Sequence, residues 1–144
     1  MSRMASIGQT INEIADEFAL LPDWEERISH VIELGRDLAP LSDAERNDAT
    51  RVRGCASQVW LVSETHPDAP EQLYFRGDSD AHLVRGEIAL LVRIFSGRTP
   101  SEILSVEPRA VFDRLGLKDA LTTQRSNGLF SMMTRIQQVA KAAS

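Results

Sequence analysis

The chain has 144 residues, 42% of them hydrophobic, enough for one domain with a sizeable core that needs neither disulfides nor a structural metal. Its net charge of −5, with acids and bases interspersed and no basic run, argues against nucleic acid or an anionic membrane as the main partner and leaves a protein partner or a small substrate. The single cysteine forms no internal disulfide, residues 1–9 lack the cationic and apolar regions of a signal peptide, and the apolar run 88–95, broken by Arg93, is far shorter than the roughly 20 residues of a membrane span. A soluble cytoplasmic protein is the expectation.

Ile7, Ile11, Ile14, Phe18 and Leu21 fall at helical spacing and predict an amphipathic helix ending at Pro22. Asp23 is placed as the N-cap of a second helix, with Glu26 completing a capping-box pattern and Trp24, Ile28, Val31, Ile32 and Gly35 on one stripe; it stops near Leu38, before Pro40. Residues 40–51 are polar and turn-rich, with one short turn expected after Ser42, partnered by Glu45. The period then changes. Gln58-Val59-Trp60-Leu61-Val62-Ser63 and Gln72-Leu73-Tyr74-Phe75-Arg76 predict an antiparallel hairpin with 66–70 between them, and a third short strand before Gly54 would put Cys55 at the tip of a β-turn-β loop.

Ser79 or Asp80 can cap the next helix, a buried one carrying Leu83, Val84, Ile88, Leu91, Val92 and Phe95 and terminated by Gly97. Thr99-Pro100-Ser101-Glu102 has an N-cap, a proline at the first helical position and a capping-box glutamate. A brief helix over 108–115 follows, and Leu129, Met132, Met133, Ile136, Val139 and Ala140 mark a long carboxy-terminal helix. There is no internal repeat. The fold class expected is α+β, a small antiparallel sheet of about three strands packed against helices in a single domain.

Cys55 is the residue whose chemistry could be strong without a cofactor. It lies between Gly54 and the polar pair Ser57-Gln58, and Arg51 and Arg53 upstream would favour the thiolate; a small buried hydrophobe is the other reading of a lone cysteine. His30, His66 and His82 show no local pattern of a catalytic base, and one cysteine with three scattered histidines lacks metal-ligand spacing. Asp78 and Asp80 read as a turn and helix cap, or as groups that orient the cysteine loop or meet a partner. Arg125-Ser126-Asn127-Gly128 reads first as a loop and helix start; the alternative is that Arg125 pairs with an Asp of the 78–80 run or supplies positive charge near the thiol. Trp24 and Trp60 read as core residues.

Gly54-Cys55-Ala56-Ser57-Gln58-Val59-Trp60 resembles the G-C-x-S-Q-V-W signature of SufE-like proteins. Three further segments resemble the family in the same order: Trp24-Glu25-Glu26-Arg27 with Val31-Ile32-Glu33-Leu34-Gly35; Gly77-Asp78-Ser79-Asp80-Ala81 with Val84-Arg85-Gly86; and Arg125-Ser126-Asn127-Gly128-Leu129. The resemblance implies a small antiparallel sheet with helices against it, and a sulfur acceptor whose Cys55 takes a persulfide sulfur from a SufS-type or CsdA-type cysteine desulfurase. That partner holds the pyridoxal phosphate, so no cofactor is expected on this chain, and a scaffold such as the SufBCD complex would receive the sulfur for iron–sulfur cluster assembly. It further implies a loop that tucks the thiol away in the free protein and swings out on docking. The alternatives are a desulfurase-binding regulatory module without sulfur transfer, and a stand-alone thiol enzyme dependent on a histidine.

Overall fold

The computed structural model describes residues 6–117 and 121–144, so the first five residues of the segment read for a signal peptide lie outside it. Helix α1, Ile7–Ala19, begins at a capping box formed by Ser6 and Gln9, and it buries Ile7, Ile11, Ile14 and Phe18. Helix α2, Trp24–Arg36, is capped as its sequence predicts, the Asp23 carboxylate accepting the Glu26 N–H at 2.9 Å. Ser42 and Glu45 close the turn expected between them through reciprocal backbone and side-chain bonds. Glu45 then pairs with Arg76, which fastens this turn to the hairpin.

Strands β1, Val59–His66, and β2, Ala69–Ser79, form a two-stranded antiparallel sheet in which Val59 faces Ser79 and Leu61 faces Gly77. Both strands run further into the turn than their side-chain pattern predicts. His66, exposed at the outer end of β1, pairs with Ala69 across a register shift, so the pairing there leaves no side-chain alternation to read. The expected third strand is reduced to one bridge between Arg51 and Trp60, flanked by Val52 N–H donating to the Val59 carbonyl and Leu61 N–H donating to the Thr50 carbonyl, each at 2.8 Å. Beyond it Arg135 takes the carbonyls of Ala49 and Arg51, which diverts that backbone from the sheet toward the last helix.

Helix α3, His82–Phe95, runs through the centre, with Ile88, Leu90, Leu91, Ile94 and Phe95 at most 1% exposed. Its N-cap is Ala81, which makes no side-chain cap bond; Ser79 Oγ accepts the Ala81 N–H and donates to the cysteine loop, and Asp80 bonds that loop rather than the helix. Helices α2 and α3 cross in close contact. A Cβ on Gly86 would lie 1.9 Å from the Val31 carbonyl oxygen, and one on Gly35 would lie 2.5 Å from the Gly86 nitrogen. Helices α4, Pro100–Leu104, and α5, Pro108–Leu115, have the expected starts, with Thr99 and Glu102 in a capping box. Helix α6, Thr123–Ala143, packs Leu129, Met132, Met133 and Ile136 into the same core, and it takes in the 125–128 segment as its first turns.

Asp78 is 3% exposed and is a structural clamp: its carboxylate accepts the Leu41 N–H at 3.1 Å and pairs with Arg46 and Arg85. Arg85 also donates to the Leu38 carbonyl, so the segment following α2 is locked onto α3. The tryptophans depart from the core reading. Trp24 is 57% exposed, and Trp60 is half-buried with the Arg46 guanidinium over its ring.

Candidate functional site

The cysteine loop is held at both ends by the buried side chains of Val52 and Val59. Between them Gly54 turns the chain with φ +87°, a conformation that disfavours any Cβ, and a Cβ there would also lie 2.6 Å from Ser131 Oγ. Antiparallel register sets the rest. Because Val59 faces Ser79, the loop leaves the sheet beside the turn into α3, where the Asp80 carboxylate accepts the Gln58 N–H at 3.0 Å and Ser79 Oγ donates to the Gln58 carbonyl at 2.6 Å.

Cys55 is half-buried and packs against the core, and its Sγ donates to the Gly128 carbonyl on α6 at 3.6 Å. It opens onto a small, solvent-connected cavity. Ser57 from the loop, Val84 and Glu87 from α3, and Arg125 and Met132 from α6 share the wall. Burial pushes the thiol above its ordinary pKa, and the nearby Glu87 carboxylate pushes it further in the same direction. This reverses the expected effect of Arg51 and Arg53. Arg53 is exposed and lines a separate groove with Asn127 and Phe130, while the Arg51 backbone is engaged by Arg135. In this conformation burial favours the protonated thiol, which is only partly open to solvent.

Of the residues singled out from the sequence, Gly54, Ser57, Gln58, Asp80 and Arg125 converge on Cys55, by shaping or tethering its loop or by lining its cavity. Arg51, Arg53 and Asp78 do not share the cavity. Asp78 is committed to Arg46 and Arg85, and Arg125 lies instead near Glu87, whose ionised form its charge favours. Among the described residues lining the cavity none is a histidine; His30 sits edge-on to Phe18 and His66 stacks on Tyr74. Sequence reasoning misses Glu87 and Gly128. Glu87 carries a signal, since a carboxylate three residues after Val84 and four before Leu91 lies on the buried stripe of α3.

The SufE family model, described as an Fe-S metabolism associated domain, matches residues 12–140. The chain belongs to the SufE family. It is 46% identical over 134 residues to an uncharacterised SufE-like protein of Rhizobium etli, covering 92% of this chain and 90% of that one. It is 44% identical over 133 residues to a second such protein, from Rhizobium meliloti, covering 92% and 95%. The fold is shared with a hypothetical protein from Thermus thermophilus solved in solution, at 20% identity with a TM-score of 0.75, covering 93% of this chain and 95% of that one. Membership bears out the family resemblance of the Cys55, Trp24, Gly77 and Arg125 segments. Among the described residues no helix is long and apolar enough to cross a membrane.

Proposed function

We propose that this SufE-family protein is a sulfur carrier: Cys55 accepts a persulfide sulfur from a SufS-type or CsdA-type cysteine desulfurase, releases that enzyme for another turnover and delivers the sulfur toward iron–sulfur cluster assembly. The observation that carries the reading is the setting of Cys55, a free thiol on a glycine-turned loop tethered by a few polar bonds, half-buried over a cavity and borne by a member of a family associated with Fe-S metabolism.

Transfer follows thiol–disulfide exchange. The Cys55 thiolate attacks the terminal sulfur of the donor persulfide R–S–SH, a sulfur–sulfur bond forms at Cys55 as the donor's bond to that sulfur breaks, and R–S⁻ departs. The Cys55 proton passes through solvent to the departing thiolate, so Cys55–SH and R–S–SH become Cys55–S–SH and R–SH with no net oxidation. The resting thiol is raised and shielded, which protects it from oxidation between encounters, so activation requires the loop to leave the cavity when the partner docks. The tethers that must yield are the Gln58–Asp80, Gln58–Ser79 and Cys55–Gly128 bonds.

The test is the turnover of a SufS-type desulfurase on L-cysteine with and without the protein. Wild type should accelerate it and Cys55→Ser should not. Equal acceleration by both would favour the regulatory-module reading, and L-cysteine-independent turnover of small substrates by the protein alone would favour a thiol enzyme.

A further inference from the structure

The cavity beside Cys55 holds a group for which sulfur transfer as described supplies no role. Glu87 is 1% exposed, and its Oε2 has no hydrogen-bond partner. A carboxyl in that setting is costly to keep, and an apolar residue would serve the core better. Burial pushes its pKa up to about 8, with the positive charge of Arg125 opposing. Near neutral pH it is therefore chiefly the uncharged acid, an O–H donor with no acceptor. Among the described residues lining the cavity, the other ionisable groups are Cys55 on the loop and Arg125 on α6.

We propose that Glu87 is the hydrogen-bond donor to the sulfur anion that forms on Cys55, holding the carried sulfur as a persulfide anion inside the protein. The inference rests on the carrier reading for the origin of that sulfur. A persulfide is more acidic than a thiol, so Cys55–S–SH releases its proton to solvent and becomes Cys55–S–S⁻. The neutral carboxyl donates its O–H to this anion without giving up the proton, and the anion's charge in turn strengthens the carboxyl's hold on it. The unpartnered Oε2 thereby gains the acceptor it lacks in the sulfur-free protein. The same carboxyl, once ionised, opposes a charged sulfur on Cys55, so the arrangement favours a held persulfide below the carboxyl's pKa and its release above it.

The experiment loads Cys55 chemically with inorganic polysulfide in wild type, Glu87→Leu and Glu87→Gln, then follows persulfide ionisation by absorbance against pH and persulfide lifetime by intact mass. The Leu variant should show a raised persulfide pKa and a lifetime shortened about tenfold, the size of one hydrogen bond to a charged group. The Gln variant, which keeps a donor, should recover most of both. In wild type the carboxyl's own ionisation should appear as a second step that the Gln variant lacks, so wild type and Gln decide the matter even if the Leu variant does not fold. A Leu persulfide that titrates and decays like wild type, a Gln variant no better than Leu, a single-step wild-type titration, or failure of folded wild type to hold polysulfide sulfur would each overturn the assignment. Because no desulfurase takes part, a failure here is distinct from a failure of sulfur delivery by a partner enzyme.

Discussion

The Asp80 carboxylate accepts the backbone N–H of Gln58 at 3.0 Å, and through that bond the turn into α3 holds the loop carrying Cys55. Asp80→Ala removes one hydrogen bond at a solvent-exposed site, worth about 1 kcal/mol. The open-loop population should rise about fivefold, and alkylation of Cys55 in the native protein should accelerate by the same factor. An unchanged alkylation rate would show that this tether does not restrain the loop.

Shielding has a direct readout of its own. With the thiol half-buried and its pKa raised chiefly by burial, Cys55 should be alkylated more slowly in the folded protein than after denaturation in urea at the same near-neutral pH. Equal rates would remove the protected resting state from the account.

Gly54 adopts φ +87° with Ser131 Oγ close to where a Cβ would stand. Gly54→Ala should destabilise by roughly 1–2 kcal/mol through the positive φ alone. It should also displace the loop, so that thermal stability falls while Cys55 alkylation quickens. A variant as stable and as shielded as wild type would show that the turn tolerates a side chain.

Stability should depend on pH through Glu87. The folded protein keeps this proton up to about 8, whereas the unfolded chain loses it near 4.5. Between those values the folded state binds the extra proton, so stability is greatest below the lower value and falls as pH rises, by at most about 1.4 kcal/mol per pH unit for one group. Glu87→Leu should flatten that slope and raise stability at pH values above the transition, as read by urea unfolding at a series of pH values. A variant with an unchanged slope would place the carboxyl's ionisation elsewhere.

Much of the fold is legible in the amino-acid sequence. Helix starts announce themselves by local chemistry, which is why the caps Asp23 and Thr99 and the first-turn proline Pro108 mark them correctly. The Cys55 segment is recognisable because its residues stand together in the chain. Ser79 and Asp80 have the local pattern of a helix cap, and that pattern cannot reveal that their side chains are taken by Gln58, some twenty residues away. Arg51 and Arg53 mislead for a related reason, since proximity in sequence does not set which way a side chain leaves a loop. Trp24 falls on the apolar stripe of α2, but it lies at the first position of that helix and stays largely exposed. Gly86 gives no periodic signal, and its need to be glycine emerges only where α3 meets the Val31 carbonyl.

The central claim is that sulfur comes to rest on Cys55, and intact mass analysis under non-reducing conditions tests it most directly. After incubation with a SufS-type desulfurase and L-cysteine, wild type should gain the mass of one sulfur atom, lost again on adding a thiol reductant, while Cys55→Ser should gain none. A wild-type protein that stimulates the desulfurase yet never gains sulfur, or a Cys55→Ser variant that gains it as readily, would contradict the account.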